Sequence, residues 1–270
     1  MPSDRARIDK FETVEFSVED HVATIKLNRP HRRNALNFQA YDELEISLAA
    51  VNSDPDVRCA IVTGADPAFC SGDDVGEVLS ESESLIPQGP APRAEPTSAA
   101  MRALECTKPL IAAINGPAVG WGMELALFAD MRIASQRAKF AELFIRRGLV
   151  CDVGGFVRLP AIVGPAKAAE LLFTGEVVDA DEALRIGLVS KVVEHEALGE
   201  AARDLAARIA RNPPLALAFM KDGLRRASIP HVREIGEWTT QALYALMKTE
   251  DHREGVASFM EKREPVFRGR

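Results

Sequence analysis

The chain has 270 residues, with 33 Lys+Arg against 40 Asp+Glu for a formal net charge of −7, and it is 47% hydrophobic and 27% charged. That is ordinary globular composition, long enough to bury roughly 70–75% of the unfolded surface in one core or one core plus a small appendage. The acidic balance argues against a nucleic-acid or membrane-surface partner, both of which favour a basic face. Cys59, Cys70, Cys106 and Cys151 are far apart and form no CxxC, which excludes a zinc cluster or disulfide scaffold and suits a reducing compartment. No run approaches 18 apolar residues, and MPSDRARIDKFE has no apolar signal core, so a cytoplasmic location is expected.

In chain order, Val14–Val18 and His21–Leu27 read as strands of a hairpin turning at Glu19-Asp20. Pro30 bars a continued strand, and Phe38–Val51 carries the spacing of an amphipathic helix. Cys59–Gly64 is a short apolar run, expected as a fully buried strand. Residues 80–98, SESESLIPQGPAPRAEPTS, hold four prolines and few apolar side chains, the composition of a loop or lid. Helix resumes near Ala99 and stops at Lys108-Pro109; PLIAAIN is a second buried strand, followed by the glycine-broken GPAVGWG and the apolar helix MELALFA. This alternation predicts an α/β fold. Beyond about residue 160, Asp179 and Glu182 have the form of a capping box with Gly187 as the stop, and LVSKVV is a last strand. Four helices then follow at Ala197–Asn212, Pro213–Ala227, His231–Lys248 and Asp251–Lys262.

Two loops follow buried strands, AFCSGDDV (Ala68–Val75) and NGPAVGWGMELA (Asn115–Ala126). Each places glycine where a strand yields to a helix, which leaves free backbone N–H groups. Two such donors aimed at one point can hold a developing oxyanion. The same spacing also fits plain tight turns with capped helices, Asp74 with Glu77 being a possible capping box. A dinucleotide fingerprint fails at Leu125, where a third small residue is required, which disfavours a nicotinamide oxidoreductase. Glu124 sits in the first turn of an apolar helix, either as a buried acid or as a complement to the helix dipole. Asp152 in GLVCDVGG reads locally as an N-cap, with a base at a pocket wall as the alternative. Cys70 reads as packing, and His21, His31, His195, His231 and His252 as surface residues.

The ordered set AFCSGDDV, PLIAAINGPAVGWGMELALFADMRIAS, KFAELFIRRGLVCDVGGFVRLPAIVG and DADEALRIGLVSKVV resembles the crotonase, or enoyl-CoA hydratase/isomerase, family from about LNRP to EKREPVF. The resemblance implies a crotonase-like spiral of ββα units over residues 1–195, carrying the site, and a helical region over 196–270 that assembles trimers, often paired into hexamers. It implies an acyl-CoA thioester substrate, its enolate held by the backbone N–H groups of Asp73 and Trp121. Both positions are usually small residues in hydratases, and the Trp121 ring is expected in the acyl-pocket wall. Of the two hydratase glutamates, Glu124 matches the first; Phe144 aligns with the second, and Glu142, two residues earlier, is expected to point elsewhere. Asp152 matches an aspartate that isomerase branches use to move protons, which turns its reading from cap to catalysis. An isomerase shuttling protons through Asp152 and Glu124 is therefore expected ahead of a hydratase. No metal or separate cofactor is expected, coenzyme A being part of the substrate; a non-catalytic acyl-CoA binder is the alternative. The CoA moiety is expected along Ala68, Cys70, Gly72 and Asp74, with Gly120 and Phe144 at the site and Arg32, Arg33, Phe267 and Arg268 as further contacts.

Overall fold

A computed structural model of the chain describes residues 7–79, 98–228 and 232–268. Strands β1 (Val14–Glu19) and β2 (Val22–Leu27) pair antiparallel through a two-residue turn at Asp20-His21, with φ of 48° and 68°. Both residues are left-handed, as the tightest right-twisted hairpin requires, so the turn falls one residue later than the sequence suggests. The chain then builds a parallel sheet: β3 (Cys59–Gly64) beside β2, β4 (Leu110–Ile114) beside β3, β6 (Met131–Ser135) beside β4 and β9 (Lys191–Val193) beside β6. Helices α1 (Phe38–Ser53) and α2 (Ser98–Glu105) make the crossovers that parallel pairing demands. The proposed lid at 80–98 lies outside the described residues except for Ser98, which opens α2.

A second sheet forms from β5 (Pro117–Val119), β7 (Lys139–Ala141) and β8 (Val178–Asp179). Strand β5 lies inside the segment read as a glycine loop, and isolated bridges Leu36–Asp73 and Cys70–Ala118 tie both glycine loops together. Helix α3 (Trp121–Phe128) leaves directly from this point, and α4 (Leu159–Val163), α5 (Pro165–Thr174) and α6 (Ala180–Arg185) follow. Asp179 caps α6 by accepting from Glu182 N–H at 2.9 Å, while the Glu182 carboxylate turns to Arg185 instead of completing the box.

The buried strands carry apolar residues on both faces because both faces are covered. Ala60, Val62, Leu110, Ala112 and Ile114 join the main core with Leu44, Phe69, Trp121 and Leu127. The alternate residues Cys59, Ile61, Ile111, Ala113 and Ile133 pack against Leu198, Ala202, Ala206 and Ala210 of α7 (Leu198–Ala210). Sheet packing thus extends past residue 195, and α8 (Pro214–Ser228), α9 (Val232–Leu246) and α10 (Glu250–Glu261) continue the helical region. No described helix is long and apolar enough to cross a membrane.

Of the histidines expected at the surface, His252 is buried and His195 half-buried. His195 Nε2 stands 3.1 Å from Asp66 Oδ2, and His252, 1% exposed, places Nδ1 2.9 Å from the Arg147 carbonyl. Their polar neighbours in sequence hid long-range partners, a relation local reading does not reach.

Candidate active site

The site begins with the first glycine loop, which the side chains of Asn34 and Arg29 hold in place. Asn34 donates to the carbonyls of Ala65 and Ala68, both at 2.7 Å, and accepts from Arg29 N–H at 2.9 Å. The buried Arg29 guanidinium donates to Ala35 O and, at 3.0 Å, to Asp74 Oδ2, with Glu77 Oε1 3.1 Å away. Asp74 also accepts from Gly76 N–H at 3.2 Å, while the Glu77 carboxylate reaches Arg29 and Asn37. Asp74 and Glu77 therefore serve Arg29 and form no capping box.

Leu36 N–H donates to Gly72 O and Asp74 N–H to Leu36 O, both at 2.8 Å. Because Leu36 engages both neighbours of Asp73, the Asp73 N–H is turned to the other side. Gly72, at φ +89°, lies so close to the second loop that a Cβ there would stand 2.8 Å from Val119 O and 3.3 Å from Trp121 N. Trp121 opens α3, so its N–H has no acceptor within the helix. Among the described residues neither the Asp73 nor the Trp121 N–H donates to a backbone carbonyl. Two backbone donors on adjacent loops are the arrangement an oxyanion site requires, the Asp73 N–H also interacting with its own carboxylate.

They border a cavity of about 470 Å³. One wall holds Arg32, Arg33, Ser71–Gly76 and its backbone; the other holds Leu143, Phe144, Arg147, Leu149, Phe259 and Met260, with Gly120 and Trp121 between. Trp121 borders the cavity, and its buried ring packs edge-on against Tyr41 at 4.9 Å and Phe128 at 5.9 Å between centroids. Asp73 also borders the cavity, its carboxylate accepting from Tyr41 Oη at 2.5 Å. Burial first, then the charge of Asp152, raises its pKa, although the Tyr41 hydrogen bond pulls the other way.

Behind this cavity lie three buried acids. Glu124, 0% exposed, accepts at Oε1 from Asp152 N–H at 3.0 Å and Gly155 N–H at 2.9 Å. Gly154 permits this, since a Cβ there would collide with Glu124 Oε2. Asp152 is no ordinary cap: its Oδ1 accepts from the next residue's N–H, Val153, at 2.7 Å. Glu142 is 1% exposed and, contrary to expectation, belongs to the same cluster, its charge acting on Glu124 and Cys151. Strand β7 ends at Ala141 and a tight helical turn begins at Leu143, so the alternation that would set Glu142 apart has stopped. Neither Glu142 oxygen, nor Glu124 Oε2, has a hydrogen-bond partner among the described residues. Burial, then the neighbouring carboxylates, pushes Glu124 and Glu142 well above the usual carboxylate range. Carboxyl groups shifted upward in this way are suited to exchanging protons.

Of the residues singled out in the sequence, Arg32, Arg33, Gly72, Asp73, Asp74, Gly120, Trp121 and Phe144 line the cavity. Glu124 and Asp152 meet each other but do not line it. Ala68 and Cys70 are fully buried with their carbonyls taken, by Asn34 and by Val119 N–H, and so present nothing to a ligand. Burial lifts the Cys70 thiol to about 12, which fits packing and not nucleophilic attack. Phe267 and Arg268 lie outside the cavity in this chain; Arg268 N–H donates to Asp251 at 2.6 Å. Tyr41, Glu142 and Arg147 are the members that sequence reading missed. Tyr41 reads as one apolar position of a helix, and nothing in the sequence marks Arg147 apart from its neighbour Arg146.

The family model described as Enoyl-CoA hydratase/isomerase matches residues 17–270. The chain is 38% identical to (E)-benzylidenesuccinyl-CoA hydratase of Thauera aromatica over 259 residues, covering 95% of this chain and 99% of that protein. It is 34% identical to 1,2-epoxyphenylacetyl-CoA isomerase of Escherichia coli over 265 residues, covering 96% and 99%. The crystal structure of an enoyl-CoA hydratase/isomerase from Pseudoalteromonas atlantica superposes with a TM-score of 0.85 at 30% identity, covering 95% of this chain and all of the other. Fold, paired loops and matches over nearly the whole length agree: the chain belongs to the enoyl-CoA hydratase/isomerase family, enzymes of CoA thioesters with the crotonase fold.

Proposed function

We propose that the protein isomerises an unsaturated acyl-CoA by moving a proton between acyl carbons. A carboxylate of the Glu124–Asp152 pair takes the proton from one carbon, and the C–H electrons become the enolate, its oxygen held by the Asp73 and Trp121 N–H groups. A carboxyl of the cluster then protonates the other carbon as the double bond moves, so no atom is gained or lost. The observation that carries this reading is the Asp152 N–H bound to the Glu124 carboxylate at 3.0 Å, which unites both acids behind the two loops. Phe144, an apolar wall residue, stands where a hydratase would have its second glutamate, which supports isomerisation over hydration. Coenzyme A enters as part of the substrate, near Arg32 and Arg33, and these proton transfers call for no separate cofactor. The four free, buried cysteines suit a reducing compartment such as the cytoplasm. The helical region beyond the α/β core would assemble the chain into a trimer or hexamer.

The test is proton exchange into crotonyl-CoA in D₂O, followed by NMR. Deuterium is expected at the α- or γ-carbon, and Asp152→Asn should lower the exchange rate at least about 100-fold while CoA-ester binding stays within about threefold. Exchange unchanged by that substitution would remove Asp152 from the reaction. A second reading, a non-catalytic acyl-CoA binder, is favoured by one observation: Trp121, Phe144 and Leu149 line the cavity, whereas Glu124, Glu142 and Asp152 do not. Tight binding without exchange by any enoyl-CoA would select it.

A further inference from the structure

Arg147 is the cation on the cavity's apolar wall, set among Leu143, Phe144, Leu149, Phe259 and Met260. Its backbone is clamped by α10: His252 Nδ1 meets its carbonyl at 2.9 Å, and a Cβ on Gly255 would stand 2.6 Å from its Cα. Its guanidinium carbon lies 4.6 Å from the centre of the Phe259 ring, a cation–π contact that holds the charged group against the ring. One guanidinium hydrogen bond is made, Nη1 to Leu143 O at 3.3 Å, and among the described residues no carboxylate comes within ion-pair distance. A held, partly desolvated guanidinium with donors to spare is built to meet an anion.

We propose that Arg147 binds a carboxylate carried by the acyl group, so that the substrate is the CoA monothioester of a dicarboxylic acid. This rests on the acyl-CoA reading of the same cavity. The wall decides which end of the substrate is meant. Arg32 and Arg33 stand with the first glycine loop, joined to it by Ser71 N–H to Arg33 O at 3.1 Å, and would face the phosphates of the CoA arm. Arg147 stands on the other wall among apolar side chains, close enough for its charge to act on Asp73, the residue offering an N–H to the thioester oxygen. An anion there belongs to the acyl portion. Planar, two-pronged hydrogen bonding would then fix the chain's far end and orient its carbons toward the acids.

The experiment compares calorimetric binding of glutaryl-CoA, valeryl-CoA and free CoA, none of which requires turnover. The unmodified protein is expected to bind glutaryl-CoA about 10–100-fold tighter than valeryl-CoA. Arg147→Met should erase that preference while leaving valeryl-CoA and free CoA within about threefold, and Arg147→Lys should restore part of it. Equal affinity for both esters in the unmodified protein overturns the proposal while the acyl-CoA reading stands. A loss shared by both esters and free CoA in Arg147→Met overturns it in favour of a phosphate contact. No binding of any CoA species overturns the proposal and the acyl-CoA reading together. Retained glutaryl-CoA selectivity without catalytic turnover would support the proposal and count against isomerisation alone.

Discussion

The fold holds the Glu124 proton more tightly than the unfolded chain does. Unfolded, its carboxyl titrates near 4.3; folded, burial and then the charges of Glu142 and Asp152 raise it. Below the unfolded value both states hold the proton and nothing is lost. As pH rises between the two values the unfolded chain releases a proton that the native state retains, and stability falls. Glutamine keeps an acceptor for the Asp152 and Gly155 N–H groups and cannot ionise. Glu124→Gln is therefore expected to raise the thermal midpoint, with no gain near pH 4 and a growing gain toward pH 8, each kcal/mol moving it by about 2–4 °C. The same variant should lose at least about tenfold in proton exchange. Melting curves across pH, paired with exchange rates, check both; a midpoint unchanged at pH 8 would mark the carboxyl as unperturbed. Glu142 shows the same burial without any signal in the sequence. An acid followed by Leu143 and Phe144 announces nothing in the sequence, because its burial depends on a strand ending at Ala141 and on acids from two other segments.

The first glycine loop works as an element because Arg29 is buried beneath it. Its guanidinium is 9% exposed and the Asp74 carboxylate 7%, at 3.0 Å. Removing one member of such a pair leaves an uncompensated charge, typically at a loss of about 3–5 kcal/mol. Arg29→Met should destabilise the protein by that order in urea unfolding, and Arg29→Met with Asp74→Asn should recover part of it. Equal losses in the single and double variants would mean that packing, not charge, makes the contribution. The elements themselves were legible where one periodicity ran unbroken. Cys59–Gly64 and the helix from Phe38 stand where the apolar pattern puts them. Strands β6 and β7 were not, since each is short and interrupted by charge. Arg132 sits in mid-strand in β6, buried because it donates to the carbonyls of Leu188 and Ala129, both at 2.7 Å. Glu43 hid in the same way on α1, where its carboxylate accepts from the N–H groups of Thr13 at 2.8 Å and Val14 at 3.0 Å. A charged residue satisfied by distant backbone looks, in sequence, like a surface residue.

For the molecule as a whole, the unresolved balance is between a well-filled core and apolar side chains left outside it. Helix α8 exposes Leu215, Phe219, Met220 and Leu224 at 75%, 76%, 68% and 70%, at spacings that place them on one face. Yet α8 is held to the core from its other side, by Lys221 Nζ at 2.8 Å from Asp130 and 2.7 Å from the Lys108 carbonyl. The orientation is therefore fixed, and the apolar face is presented outward by it. The helix and its proline start could be read from the sequence; which face the core would leave uncovered could not, because that depends on where Asp130 lies. A contiguous exposed apolar face marks an association surface, and the proposed trimer or hexamer gives it an occupant of the same sequence. Phe219→Asp would place a charge at the centre of that face without touching the Lys221 anchor. Light scattering after size exclusion is expected to show the unmodified chain as a trimer or hexamer and the variant shifted toward monomer. Its far-UV dichroism should stay unchanged, since no buried contact is removed. An unmodified chain that elutes as a monomer at micromolar concentration, or a variant that keeps the full assembly, would take the face of α8 out of the interface.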